Sequence, residues 1–132
     1  MNDKLSDKEI LYFYDILHFV ENKIKKGEHK GYKIDDKKIK NFYISKHVKL
    51  DYKNKPYEHW NKNMIIFKTG SDSACPAFFK HIRNAFAHGN IYKNKNMYIV
   101  KDVYRKEITM YGYIGQNLLK ELIEVMKSTK KE

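Results

Sequence analysis

The chain has 132 residues, of which 42% are hydrophobic and 14% aromatic, and its formal net charge is +11. This length suits a single domain, residues 1–132, and the apolar content excludes a disordered tail. No run of 18 apolar residues occurs, the first ten residues are mostly polar and there is one cysteine. We therefore expect no membrane span, no signal peptide and a cytoplasmic location.

The positive charge favours polyanionic partners such as nucleic acid. It comes from 25 lysines and only two arginines, Arg83 and Arg105. A lysine-rich composition of this kind also arises from codon bias, in which case the lysines form an ordinary solvated surface. Because arginine is so rare here, each one raises the question of why lysine would not serve.

The first predicted element is an amphipathic helix. Ser6 and Glu9 have the spacing of a capping box, in which each side chain bonds the backbone of the other. Apolar residues then recur every three or four positions from Ile10 to Ile24. This pattern predicts about five helical turns, ending near Gly27.

Residues 28–70 are ambiguous. Asp35 or Asp36 can cap a helix that carries Ile39, Phe42 and Tyr43, and Pro56 can open a short helix that runs to Phe67. The apolar runs in both segments are equally consistent with buried strands.

The remaining elements have clearer patterns. Ser73 and Gly89 bracket a third helix, with Pro76 in its first turn. Alternation predicts a hairpin with strands near 97–102 and 107–113, and residues 116–127 have the apolar spacing of a closing helix. The expected fold class is therefore mainly α, a helical bundle with a small β-hairpin before the C-terminal helix.

Polar residues are concentrated at the end of the third helix, in the stretch HIRNAFAHGN (residues 81–90). On a helical wheel Asn84 and His88 share one face, and Arg83 starts at its edge. A planar cation, an amide and a titratable imidazole can together cleave RNA without a metal. The imidazole takes the 2′-hydroxyl proton, this oxygen attacks phosphorus, and the cation stabilises the developing charge. A histidine at a helix end is also a common structural cap.

The run Arg83-Asn84-Ala85-Phe86-Ala87-His88 resembles the signature of the HEPN superfamily, an arginine, a polar residue, three further residues and a histidine at a helix end. Gly89 and Asn90 suit this signature. One toxin branch of the superfamily has a modifiable tyrosine two residues after the histidine. Asn90 stands there instead, so we expect no such modification.

The resemblance implies an α-helical, usually dimeric protein, and many such proteins are metal-independent endoribonucleases. The predicted hairpin is not part of the minimal helical bundle. Carried over by position, Arg83 and His88 would be catalytic and Asn84 supportive, with the two motifs meeting across a homodimer. The resemblance also implies a role as a toxin, an abortive-infection protein or an antiviral defence protein, with an antitoxin or inhibitor protein as a partner.

Two other interpretations remain open. In the first, the chain is a non-catalytic HEPN-like module that binds RNA or protein. In the second, the motif is structural, with Arg83 paired to a local carboxylate. For the nuclease hypothesis we expect RNA contacts from residues that flank the motif, namely Lys80, His81, Asn90, Lys93 and Lys95. We expect no metal and no cofactor, because Cys75 is alone, the histidines lack ligand spacing and no phosphate-binding loop occurs.

Overall fold

A computed structural model describes residues 2–28, 31–70 and 73–130 of the chain. Four α-helices and five β-strands occur in these ranges, and the first helix continues into a π-helical segment. In chain order they are α1 (Asp7–Phe19), the π-helical segment (Val20–Glu28), α2 (Lys37–Lys46), β1 (Lys49–Asp51), β2 (Met64–Phe67), α3 (Ala74–Ala87), β3 (Ile91–Asn94), β4 (Met97–Tyr104), β5 (Glu107–Gly115) and α4 (Gln116–Lys127). The loop predicted after Gly27 includes His29 and Lys30, which lie outside the described ranges.

The N-terminal helix forms as predicted. Ser6 Oγ accepts from the Glu9 N–H at 3.3 Å and Glu9 Oε1 accepts from the Ser6 N–H at 2.9 Å, which completes the capping box. The helical path runs on to Glu28, but from Val20 its turns are π-helical. In a π-helix each hydrogen bond spans one residue more than in an α-helix, so the side chains after Val20 point in directions that a uniform α-helix would not give them.

Two further helices agree with the sequence patterns. Asp36 caps α2 by accepting from the Lys38 N–H at 2.9 Å. The last helix, α4, spans Gln116–Lys127, as its apolar spacing predicts. The short helix expected from Pro56 to Phe67 does not form, because Met64–Phe67 is the fully buried strand β2.

The predicted fold class is wrong. The small hairpin is part of a larger, five-stranded mixed sheet with the strand order β1-β2-β5-β4-β3, so the protein is not a mainly helical bundle. The predicted hairpin exists as β4 and β5, which pair antiparallel over their whole length, and three more strands extend it on both sides. Strand β1 runs parallel to β2, and the other neighbouring strands pair antiparallel.

The extra strands escaped prediction for a physical reason. Strands β1, β2 and β3 have only three or four residues each, too few to display an alternation of period two. Strand β2 is also buried on both faces, so its residues read as a continuous apolar run. What makes these segments strands is pairing with partners far along the chain, such as Ile66 with Tyr111.

The main core lies between one face of the sheet and the helices. Strand residues such as Phe67, Tyr98 and Val100 meet Phe13, Phe78 and other helix residues there, all fully or almost fully buried. The backbone of β5 approaches β2 closely at Gly112, where an added Cβ would stand 2.9 Å from the Ile65 side chain. Among the described residues, no helix is long and apolar enough to cross a membrane.

Candidate active site

The motif occupies the last turn and a half of α3. This helix packs against α1 and β4, and the rings of Phe86 and Phe13 stack with centroids 5.9 Å apart. It ends in a Schellman motif, in which the Asn90 N–H donates to the Ala85 carbonyl at 2.7 Å and the Gly89 N–H donates to the Phe86 carbonyl at 3.0 Å. Gly89 has φ +71°, which L side chains rarely adopt, so glycine suits the turn that follows His88.

Arg83 makes two side-chain contacts. Its Nε donates to Glu21 Oε1 at 2.8 Å, and its Nη1 donates to Asn84 Oδ1 at 3.1 Å. Glu21 lies at the start of the π-helical segment, which packs against α3 and brings this carboxylate beside the motif. The Arg83 side chain is 25% exposed and that of Glu21 36%, so the pair sits at the protein surface and remains accessible to a ligand.

His81 belongs to a separate, more buried group. Its Nδ1 lies 2.7 Å from Asp102 Oδ2, and its Nε2 lies 2.6 Å from the carbonyl oxygen of Lys68. His81 thus bridges the carboxylate of Asp102 on β4 and the backbone that directly follows β2. The Asn84 amide reaches the same Asp102 oxygen at 3.5 Å, which links this group to Arg83.

His88 has no such partners. It is the C-cap residue of α3, where its backbone N–H donates to the Asn84 carbonyl, but its exposed side chain makes no hydrogen bond or ion pair with the residues that the structure describes. Residues 83 and 88 are separated by about 7.5 Å along a helix axis and about 140° around it. Because Arg83 is also drawn toward Glu21, the Arg83 and His88 side chains do not converge within one chain.

The family model described as HEPN pEK499 p136 matches residues 10–132. The chain belongs to this HEPN family. The resemblance read from residues 83–88 is thereby confirmed over nearly the whole chain. No curated protein and no solved structure matches the chain. HEPN domains are often ribonucleases that dimerise and bind RNA.

The residues predicted to contact RNA lie in different settings in this HEPN chain. Lys93 pairs with Glu9 at 3.0 Å, and Asn90 Oδ1 accepts from the Tyr92 hydroxyl at 3.4 Å. Lys95 is exposed at the β3–β4 turn, and Lys80 is partly exposed on α3. His81 is held by Asp102, as described above. The structure thus leaves Lys95 the most open of these side chains and gives Lys93 and His81 internal partners.

Two carboxylates at the site were not identified as site residues from the sequence. Glu21 belongs to no motif, and it meets Arg83 because the π-helical segment packs against α3. The position of Asp102 near the end of a predicted strand suggested that it could orient a basic residue, and the structure shows it buried with His81 as that residue. Among the described residues, no cluster of three or more His, Cys, Asp or Glu side chains could hold a metal ion.

Proposed function

We propose that this HEPN protein is a metal-independent endoribonuclease whose active site is completed by a second copy of the chain. The observation that carries the proposal is the contrast at the end of α3. Arg83 and Asn84 are hydrogen-bonded to each other, whereas His88 stands exposed at the helix end without an internal partner. An exposed imidazole at the same helix end as an arginine and an amide is available for proton transfer to and from a bound RNA.

In this reaction each side chain has one role. The His88 imidazole accepts the proton of an RNA 2′-hydroxyl, and the freed O2′ attacks the adjacent phosphorus. The P–O5′ bond breaks, the leaving O5′ takes a proton from the imidazolium of the other copy's His88, and a 2′,3′-cyclic phosphate remains. Arg83 binds the phosphate oxygens and stabilises their growing charge, and Asn84 orients the guanidinium.

A surface beside the motif suits the homodimer. Ile10, Leu11 and Tyr14 on α1 are 43%, 67% and 49% exposed. They adjoin a groove of about 530 Å³ whose wall includes Ile10, Phe86 and Gly89, and Gly89 directly follows His88. Contiguous exposed apolar surface of this kind is typical of a protein interface. A second copy bound here would bring two motifs together, which supplies the convergence that a single chain lacks.

A non-catalytic HEPN-like module that binds RNA or protein is the second candidate. The specific observation in its favour is the ion pair between Arg83 and Glu21, which already neutralises the motif arginine within the chain. A toxin or defence role, with an inhibitor protein as partner, is part of the nuclease proposal and rests on family membership alone.

The deciding experiment is cleavage of a structured RNA, with EDTA present, by wild-type protein and by His88→Ala. We expect the wild type to cut and to leave cyclic phosphate ends, and the variant to lose at least a hundredfold in rate, the lower end of general acid–base contributions. His47→Asn is the matched control, because His47 is exposed and left-handed (φ 54°), a conformation that asparagine also adopts.

Sedimentation of the same samples reports their oligomeric state, and the wild-type and His88→Ala proteins should both be dimers. If neither protein cuts while both bind RNA equally, the motif is not catalytic and the binding-module alternative takes its place.

A further inference from the structure

The connection between β1 and β2 crosses the face of the sheet that points away from the helices. A second apolar cluster, made by Met97, Ile99, Tyr111 and Tyr113, lies on this face, and the connection, residues 52–63, contacts it through His59 and Trp60. The connection is held to this face by His59, which is 6% exposed and packs on Tyr111 with ring centroids 5.2 Å apart. His59 and Trp60 therefore attach the connection to this side, whereas Tyr52 at its start packs against the main core.

Two large aromatic rings project from this connection. The ring of Trp60 lies 5.1 Å from that of Tyr113 at an interplanar angle of 78°, and the ring of Tyr57 lies 5.8 Å from that of His59 at 65°. Trp60 is nonetheless 64% exposed and Tyr57 50% exposed. Steep interplanar angles are edge-to-face contacts, which fix the orientation of a ring without covering both of its flat sides. We name Tyr57, His59 and Trp60 the aromatic platform.

The base of the platform is the buried His59 ring. The His59 Nδ1 accepts from the Asn61 N–H at 3.1 Å, so that nitrogen carries no proton. Burial lowers the pKa of His59, and its contact with the Tyr111 backbone offsets this only in part. The His59 ring contacts Tyr57 and the Tyr113 ring contacts Trp60, so each exposed ring is supported at one edge and a ligand that stacks on it orders less of the protein.

The charge around the platform is positive. Residues 52–63 carry three exposed lysines, Lys53, Lys55 and Lys62, and one acidic residue, Glu58. Glu58 is engaged by Lys101 from β4 at 2.7 Å. Flat aromatic faces among lysines are the combination that binds single-stranded nucleic acid, since every base has a face that stacks and every phosphate attracts a cation. A protein-docking surface would be more apolar and poorer in lysine at its centre.

We propose that the aromatic platform binds single-stranded RNA, with unpaired bases stacked on Trp60 and Tyr57 and the neighbouring phosphates held by Lys53, Lys55 and Lys62. The inference rests on the proposed function in that RNA is the ligand, and it adds a preference for unpaired regions. Duplex RNA buries the base faces in its own stack and so cannot use the rings.

Trp60 is the single tryptophan of the chain, so its fluorescence reports on this site alone. The wild-type protein is titrated with a 2′-O-methyl oligouridine of twelve nucleotides, which cannot undergo 2′-hydroxyl attack. Two matched ligands serve as controls, an abasic oligomer with the same phosphates and a duplex of equal length. We expect the oligouridine to quench Trp60 and both controls to leave its emission nearly unchanged.

The variants test the same point from the protein side. Trp60→Ala should bind labelled oligouridine roughly tenfold more weakly, the effect of losing one stacked base, and Trp60→Phe should recover part of this loss. Tyr57→Ala should weaken binding in the same direction, and it serves in place of Trp60→Ala if that variant does not fold. Tyr104→Ala is the control, because Tyr104 is 63% exposed but lies at the far end of β4.

The outcomes separate this proposal from the nuclease proposal. If wild-type protein cuts RNA in a His88-dependent way but neither Trp60→Ala nor Tyr57→Ala weakens oligouridine binding, the platform proposal is wrong and the nuclease proposal stands. If oligouridine quenches Trp60 and the variants bind weakly but no cleavage occurs, the platform stands and the nuclease falls. A shift of Trp60→Ala from dimer to monomer in sedimentation would assign this face to contact between copies and overturn the proposal.

Discussion

Arg83 donates from Nε to the carboxylate of Glu21 at 2.8 Å, although the two residues are 62 positions apart in the chain. This pair gives the arginine of the HEPN motif an internal anion. A phosphate that binds Arg83 must compete with the Glu21 carboxylate or share the guanidinium with it. The packing of the π-helical segment against α3 holds Glu21 beside Arg83, so this competition is present in every folded molecule.

Substitution of Glu21 tests this competition. Glu21→Gln removes the negative charge beside Arg83, so we expect RNA to bind several-fold more tightly, as measured by fluorescence anisotropy at fixed ionic strength. The variant should lose less than about 1 kcal/mol of stability, because the pair is partly exposed and screened by solvent. Glu121→Gln on α4 makes the same change in net charge at an exposed site far along the chain. Equal affinities for the two variants would show that Glu21 does not oppose phosphate binding.

The His81–Asp102 pair should behave as a buried structural unit. Asp102 is 4% exposed, and its carboxylate accepts from His81 at 2.7 Å. In a double-mutant cycle with His81→Ala and Asp102→Ala, each single change leaves a buried polar group without its partner. We therefore expect a coupling energy above about 1 kcal/mol from urea unfolding.

The exposed pair between Lys101 and Glu58 is the control for this cycle. Their side chains are 32% and 61% exposed, so the coupling there should stay below about 0.5 kcal/mol. Additive losses at His81 and Asp102 would mean that the short contact contributes nothing beyond packing.

The pH dependence of stability should depend on Glu9. Burial favours the neutral acid, but hydrogen bonds from Tyr98, the Ser6 backbone and hydroxyl, and Lys93 outweigh burial and lower the pKa of Glu9 from 4.5 to about 2. A lowered pKa in the folded state stabilises the fold above the unfolded value, and this stabilisation disappears as the pH falls toward 2. The difference corresponds to about 3 kcal/mol at neutral pH.

Thermal unfolding between pH 2 and 7 measures this contribution. Wild-type protein should lose stability steeply between about pH 5 and pH 2. In Glu9→Gln the same acid limb should be shallower, with a lower Tm at pH 7. Parallel curves for the two proteins would contradict the assignment of this acid sensitivity to Glu9.

Some of the molecule follows from patterns confined to a few neighbouring residues. The capping box of Ser6 and Glu9, the cap at Asp36, the bounds of α4 and the β4–β5 hairpin all depend on spacing within one or two turns, and the structure has them where the patterns predict. The motif in α3 is equally local, because six consecutive residues carry it and the family match extends it over residues 10–132.

Other features arise only when distant segments meet. Strands β1, β2 and β3 are too short to show a period, and hydrogen bonds to partners elsewhere in the sheet turn the predicted helical bundle into a helix layer on a five-stranded sheet. The partners of Arg83 and His81 are likewise 62 and 21 residues away. The types and spacing of neighbouring residues indicate which groups can react. Which charged groups form pairs depends on how whole helices and strands pack together, and local spacing does not predict that packing.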